Sequence, residues 1–425
     1  MNVLIIYATG TVTGTIFDNT DINKIPIGCY YLASYLRKNN INTELLYFLN
    51  MSDCDYILEF IKKYNPDIIG FSSFLFNHKF LMELTLKIKE ANPNIKIVLG
   101  GIHATILHRE LIEEHKQLDA LLRGEAEKSF LELVRSGFKE EAMQQINGLT
   151  WRHENMVFVN PDSIPTKNLD EFPSPVHHGF NYNFISTSRG CPGKCTFCGA
   201  PKISGRLVRL RSSEHIYKEL RELKYTYGVS YFEFMDDTFC ANKTRVIDLC
   251  QRIIDSKLAI QWHVRNRVNF IDWDMFQLMK KAGCVQISYG VESGSQRILN
   301  ALNKQTKTQQ ISEAFALTKA CGIKTRMYII HCGAMENIRS LISNIWTITK
   351  CYPDLILLYQ LQIFPGTQLY DTAVEQGLIE KDIWKRQSHV TYPSGNPLLF
   401  DILHKFITVF YKLTSMSQRL FNKRN

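Results

Sequence analysis

The stretch Ser188-Arg189-Gly190-Cys191-Pro192-Gly193-Lys194-Cys195-Thr196-Phe197-Cys198 carries three cysteines at the spacing CxxxCxxC, directly after an apolar, strand-like run. Three thiolates this close can bind three irons of a 4Fe-4S cube, with Gly190 and Gly193 letting the backbone fold around it and the fourth iron left open. An open metal position marks a reactive centre, as it does where catalytic zinc sites differ from structural ones. A zinc knuckle or three buried thiols is the alternative. Zinc asks for four ligands, and the nearest further cysteine, Cys240, lies far along the chain on what reads as another strand.

Other side chains with chemical potential fall at the ends of later strand-like runs. Asp236 and Asp237 follow Tyr231–Met235, although adjacent acids also suit a solvated turn or a helix cap. Gly290-Val291-Glu292-Ser293-Gly294-Ser295 sets an acid between glycines, where it can accept hydrogen bonds from hydroxyls or simply form a β–α turn. Arg267, after Trp262, has Glu233 and Asp236 as candidate partners. His331 and Cys332 close a fifth run that includes Tyr328.

The elements that must position these residues are legible in the hydrophobic pattern. From residue 184 to about 367, the runs Phe184–Ser188, Tyr231–Met235, Gln261–Arg265, Val285–Tyr289, Thr325–Ile330 and Ile356–Leu361 alternate with helical segments. Six βα units predict an incomplete (β/α)6 TIM-type barrel, with chemistry at the carboxyl ends of its strands. Residues 1–137 alternate in the same way, with runs at Val3–Tyr7, Thr43–Phe48, Ile68–Phe71, Ile95–Leu99 and Ala120–Leu122. They predict a Rossmann-like, doubly wound α/β domain that binds ligands beyond the strand ends, in the loops after Tyr7, Phe71 and Leu99. Ser72 and Ser73 end its third strand. Gly100, Gly101 and His103 open the turn after its fourth, where paired glycines permit close backbone approach. Residues 138–183 read as a linker holding a small hairpin and a proline-rich strap around Leu169–Pro175. Residues 368–425 form a helical carboxyl-terminal segment, whose lysines and apolar spacing over 401–413 suit packing or a loose membrane-surface contact.

The cluster loop, with the aromatic Phe197 before its last cysteine, resembles that of the radical S-adenosylmethionine (SAM) enzymes. Pro26-Ile27-Gly28, Gly70-Phe71-Ser72-Ser73, Gly100-Gly101-Ile102-His103 and Arg123-Gly124-Glu125-Ala126-Glu127 make the first domain resemble the cobalamin-binding domain of the cobalamin-dependent members. The resemblance implies a 4Fe-4S cluster on Cys191, Cys195 and Cys198, and SAM near Phe197, Asp236, Asp237, Arg267, Glu292 and Ser293. It further implies cobalamin at Ser72, Ser73, Gly100, Gly101 and His103. Two departures bear on this. The DxHxxG motif that supplies a cobalt-ligating histidine is absent, leaving His78 and His103 as the nearby histidines. A glycine-proline-glycine-glutamate turn usual after the fifth strand is replaced by His331-Cys332-Gly333-Ala334-Met335-Glu336-Asn337, which makes Tyr328, His331 and Cys332 candidates for touching substrate. Cys332 also suits core packing.

The chain has 425 residues, 45% of them hydrophobic and 21% charged, which suits a globular protein with more than one core. Its net charge of +9 is dispersed, so nucleic acid is not an expected partner. Eleven cysteines without a secretory signal point to a reducing, cytoplasmic compartment. The expected function is methylation of an unactivated carbon of a small-molecule or peptide substrate, through a 5′-deoxyadenosyl radical and methylcobalamin. An external electron donor such as flavodoxin or ferredoxin is implied. Oxidative cyclisation or rearrangement with cobalamin is the first alternative, and a non-catalytic cobalamin or iron–sulfur sensor the second. No acid–base catalytic residue is assigned.

Overall fold

A computed structural model describes residues 1–8, 26–48, 54–387, 389–393 and 395–422, those from 413 on by backbone alone. The loop after Tyr7 and the basic side chains Arg419, Lys423 and Arg424 lie outside the described residues.

Strands β1 (Asn2–Ala8), β2 (Asn42–Phe48), β3 (Ile68–Ser72), β4 (Lys96–Gly100) and β5 (Ala120–Leu122) pair in parallel in the order β2-β1-β3-β4-β5. Helices α1 (Ile27–Lys38), α2 (Cys54–Tyr64), α3 (His78–Ala91), α4 (Gly101–Ile106), α5 (His108–Glu114) and α6 (Glu127–Ser136) alternate with them. Residues of α1 and α6 share one core with Val3, Ile5 and Val98, while those of α2, α3 and α5 share another with Leu4, Ile6 and Ile97. Burial on both faces is why these strands read as unbroken apolar runs. The strand order reverses between β1 and β3, and a crevice opens beyond their carboxyl ends.

The hairpin placed in the linker by its sequence continues this sheet. Its strands β6 (Leu149–His153) and β7 (Met156–Val159) add antiparallel to β5, giving seven strands. Trp151 explains the attachment: fully buried beside Phe130 and Leu131, it stacks on Phe158 with ring centroids 4.6 Å apart. The strap that follows packs Leu169 and Phe172 on Tyr31, and Arg37 of α1 donates to the His178 carbonyl at 2.7 Å.

The second sheet is wholly parallel, in the order β8-β11-β12-β13-β14-β15, with β8 (Phe184–Ile185) and β15 (Leu355–Gln360) as its edges. Between them lie β11 (Tyr231–Phe234), β12 (Gln261–Asn266), β13 (Cys284–Glu292) and β14 (Lys324–His331). Helices α7 (Ser213–Tyr227), α8 (Lys243–Asp255), α9 (Trp273–Lys281), α10 (Thr308–Ala320) and α11 (Ile338–Cys351) connect them. Phe232, Trp262, Val264, Ile287, Tyr289, Met327 and Ile329 are buried in one core with residues of these helices. Alternation puts Glu233, His263, Arg265, Ser288, Arg326 and Tyr328 on the opposite, inner face, which is therefore polar. The arrangement is the open (β/α)6 layer expected.

The run Phe184–Ser188 is not one strand. After β8 the chain turns, and β9 (Ser188–Arg189) pairs antiparallel with β10 (Arg209–Leu210). Asp236 supplies the reason, because its carboxylate accepts from the backbone N–H groups of Thr187 and Ser188 and from both hydroxyls, diverting them from the sheet ladder. At the far end, α12 (Pro397–Asn422) buries Leu399, Leu403 and Ile407 in the barrel core, and Tyr411 donates to the Ile356 carbonyl at 3.0 Å. That packing occupies most of the apolar stripe that suggested a membrane surface, leaving Leu398, Ile402 and Val409 exposed. Among the described residues no helix is long and apolar enough to cross a membrane.

Candidate active site

The cluster loop leaves β9 through Gly190, whose φ of 95° only glycine adopts easily and where a Cβ would lie 2.2 Å from the Leu207 carbonyl oxygen. Backbone bonds then fix the loop: Cys191 N–H donates to Gly205 at 3.3 Å, Thr196 to Leu302 at 3.0 Å and Leu369 to Thr196 at 2.9 Å. Arg206 donates to the Gly193 carbonyl. Cys191, Cys195 and Cys198 are free and half-buried. Among the described residues no three His, Cys, Asp or Glu side chains gather as they would around a single ion. A cube takes each thiolate on a different iron, so the donors need not converge on one point. Burial pushes the Cys198 thiol up to about 11, against the lowering effect of the Ala200 N–H, so a cationic group is what would hold it as thiolate. This donor set fits a three-cysteine cluster.

A cavity of about 370 Å³ lies between the two sheets, lined by parts of both. From the first domain come Gly28, Cys29, Ser72, Gly100 and Gly101, with Ile5, Gly70, Val98 and Phe130 deeper in the sheet. From the barrel come Ser188, Gly190, Met235 and Asp237. Gly28 has no atom within 4 Å of where its Cβ would be, and for Gly100 the nearest is 3.9 Å away. These two bare backbones at the switch point form a cradle that side chains would fill, which fits a bulky planar ligand. Gly101 has a φ of 93°, and its Cβ would meet the Ser73 carbonyl oxygen at 2.7 Å.

The remaining expected residues divide. Asp237 lines the cavity, where burial and neighbouring Asp236 push its carboxyl up while Arg265 opposes them. Asp236 is 2% exposed, and both its oxygens are committed to Thr187 and Ser188, so it shapes the loop rather than offering itself to a ligand. Phe197 packs on the core shared by the first sheet and Leu361, Ile363 and Leu369. Arg267 pairs with neither Glu233 nor Asp236; it reaches the Cys195 sulfur and the Lys304 carbonyl instead. Glu292, at φ 65°, is ion-paired to buried Lys304 at 2.6 Å, and Ser293 Oγ donates to Asn344 at 3.1 Å.

Three of the expected residues lie away from this cavity. His103 does not line the cavity: its ring packs on His78 and Trp384 at centroid distances of 4.9 and 5.4 Å. Ser73 is likewise buried away from the cavity lining, its hydroxyl without a partner. Cys332 is fully buried in core, its thiol pushed well up by burial, as suits the packing role. His331 is covered by Phe400 of α12 at 5.3 Å, whereas Tyr328 stacks on Tyr359 at 6.0 Å on the barrel's inner face. Sequence reasoning missed Arg265 and Lys304. The strict alternation of Trp262 and Val264 with His263 and Arg265 could have flagged the first, while nothing local flags Lys304.

Comparison with known proteins finds two family models in the chain. Residues 19–134 match the B12 binding domain and residues 185–343 the Radical SAM superfamily. An uncharacterized methyltransferase, PH0819, of Pyrococcus horikoshii is 31% identical over 378 residues, 86% of this chain and 82% of that one. The chain belongs to the cobalamin-binding radical SAM enzymes. The family's cofactors, cobalamin, a 4Fe-4S cluster and SAM, are accordingly its own. An anaerobic magnesium-protoporphyrin IX monomethyl ester cyclase of Rubrivivax gelatinosus is 29% identical, matching 72% of this chain but only 58% of its own length. Among solved structures, the cobalamin-dependent SAM radical enzyme OxsB superposes with a TM-score of 0.68 at 20% identity. That match covers 91% of this chain and 56% of OxsB, and shows that the two share a fold. In this radical SAM chain, then, the cavity between the sheets lies where its two cofactor domains meet.

Proposed function

We propose that this enzyme methylates an unactivated carbon of a small-molecule biosynthetic intermediate. The single observation that carries the reading is the shared cavity, in which Gly100 and Gly101 of one domain face Gly190 and Asp237 of the other. Residues 1–137, extended at the sheet edge by the hairpin of 149–159, and 184–367 are read as the two cofactor units; the rest of 138–183 joins them, Leu369 and Trp384 pack against the first domain and α12 against the barrel. Cys191, Cys195 and Cys198 would hold the cluster, Asp237, Arg265 and the Glu292–Ser293 turn would surround SAM, and Ser72, Gly100 and Gly101 would cradle cobalamin. Bound together, these groups supply one-electron cleavage of SAM and a transferable methyl. The chain's own part is placement and exclusion of water. Ile5, Val98, Leu122 and Phe130 line the deep end of the cavity and keep it apolar. Asp236 holds the bend that aims the cluster loop at it. The inner-face residues Arg265, Ser288 and Tyr328 offer polar contacts for orienting substrate.

The most similar relative described above is named a methyltransferase and is matched over most of its length, which favours methyl transfer. The cyclase supports the second reading, oxidative cyclisation, over a shorter share of its length. All eleven cysteines are free, as suits a reducing cytoplasm and an external donor such as flavodoxin or ferredoxin. Incubating the reduced holoenzyme with methyl-deuterated SAM and a metabolite extract tests the choice. A product carrying the deuterated methyl, with both 5′-deoxyadenosine and S-adenosylhomocysteine released, is expected. Release of 5′-deoxyadenosine alone, with unlabelled product, would favour cyclisation.

A further inference from the structure

We propose that Arg267 raises the reduction potential of the cluster through a charged hydrogen bond to the Cys195 sulfur, an inference that rests on the cluster reading above. The guanidinium is buried, with Nη1 3.6 Å from Cys195 Sγ and Nη2 donating to the Lys304 carbonyl. Among the described residues no carboxylate pairs with it, unlike Arg189, Arg209 and Arg211, each of which is neutralised by a glutamate. Its positive charge is therefore directed at sulfur.

Two features fix that aim. At Gly193 a Cβ would lie 2.7 Å from Nη1 of Arg267 and 3.4 Å from Cys191 Sγ, so the bare backbone is what admits the guanidinium to the cluster loop. On the other side, Lys304 is pinned by its own ion pair to Glu292 at 2.6 Å and by its N–H to the Leu299 carbonyl at 2.9 Å. It sits between two left-handed residues, Asn303 at φ 48° and Gln305 at φ 55°. The arginine is thus clamped by a turn that cannot easily relax. One-electron reduction of the cluster by an external donor adds a negative charge spread over iron and sulfur. A fixed cation and an N–H···S bond in a buried setting stabilise that reduced form more than the oxidised one. A donor of more modest reducing power then suffices.

The test is an EPR-monitored redox titration of the full chain with its reconstituted cluster, in the absence of SAM. For Arg267→Gln, the reduced-to-oxidised ratio at the wild-type midpoint should fall about tenfold, a downward shift of about 59 mV for one electron. Arg267→Lys, which keeps the charge but not the fork, should shift less. Gly193→Ala, which pushes the guanidinium aside, should shift in the same direction as Arg267→Gln. Should Arg267→Gln fail to take up iron, the other two variants decide. Midpoints that coincide with wild type in every iron-replete variant would overturn the proposal. So would weaker SAM binding by Arg267→Gln at an unchanged midpoint, which would make the arginine a SAM ligand. Wild-type chain without iron would instead overturn the cluster reading itself.

Discussion

His103 and its neighbours behave as buried neutral rings, and that makes their contribution pH-dependent. Burial, with the other histidines, lowers His78 to about 4 and His103 to about 3. His115 is lowered too by burial, with Glu114 opposing and Lys385 reinforcing. A histidine depressed on folding contributes stability that is present above its unfolded value near 6.5 and lost as pH falls toward the folded value, each unit of depression being worth about 1.4 kcal/mol. The thermal midpoint of the chain should therefore drop between pH 6.5 and pH 4, and His103→Phe should flatten that slope. An unaltered slope in the variant would remove the cluster as its source. The same ring shows why a side chain's surroundings are not legible in the sequence. Successive helical residues point about 100° apart, so on α4 the backbone at Gly101 and Ile102 can border the cavity while His103 turns to Trp384, a contact from nearly three hundred residues away that no local pattern announces. The three cysteines were legible because their chemistry depends on local spacing. Lys304 on Glu292 and Arg265 beside Asp237 were not, because tertiary folding brings each pair together.

At the scale of elements, two turns do most to shape the site. Gly101→Ala would place a methyl 2.7 Å from the Ser73 carbonyl oxygen at a positive φ, straining the β4–α4 turn by roughly 1 to 3 kcal/mol. Cobalamin retained per chain should fall more than the thermal midpoint does; equal retention would show that the turn does not cradle the corrin. Asp236→Ala would leave the Thr187 and Ser188 N–H groups buried without their acceptor, at a cost of roughly 1 to 3 kcal/mol each. Iron uptake should fall with it, and normal uptake would mean the bend is set elsewhere. Both sheets and nearly every strand were readable from apolar runs, since helices on both faces of the first and alternation in the second each leave a periodic trace. The split between β8 and β9 was not, because an aspartate some fifty residues away causes it. The hairpin's place at the sheet edge was hidden for a similar reason, depending on where Trp151 finds its core.

For the whole molecule, the boundary between the two domains is held by buried charge. Arg189, in the cluster loop, pairs with Glu127 at 2.5 Å and Glu125 at 3.4 Å and lies over the rings of Tyr31 and Phe172. Arg209 clasps both oxygens of Glu125, and Arg211 reaches Tyr31 Oη at 2.6 Å. Removing Arg189 leaves the buried Glu127 carboxylate without its partner while Glu125 keeps Arg209, so Arg189→Met should cost roughly 3 to 5 kcal/mol and split unfolding into separate transitions. A single transition at the wild-type temperature would deny that these pairs hold the boundary. The claim beneath every one of these arguments is that two cofactors occupy the two domains and meet at one cavity. Its most direct test is the iron, sulfide and cobalamin content of the full chain purified without oxygen and with cobalamin supplied. About four irons, about four sulfides and one cobalamin per chain are predicted. Iron without cobalamin would contradict the shared-cavity account while leaving the cluster, and a chain holding no iron would contradict the account at its centre.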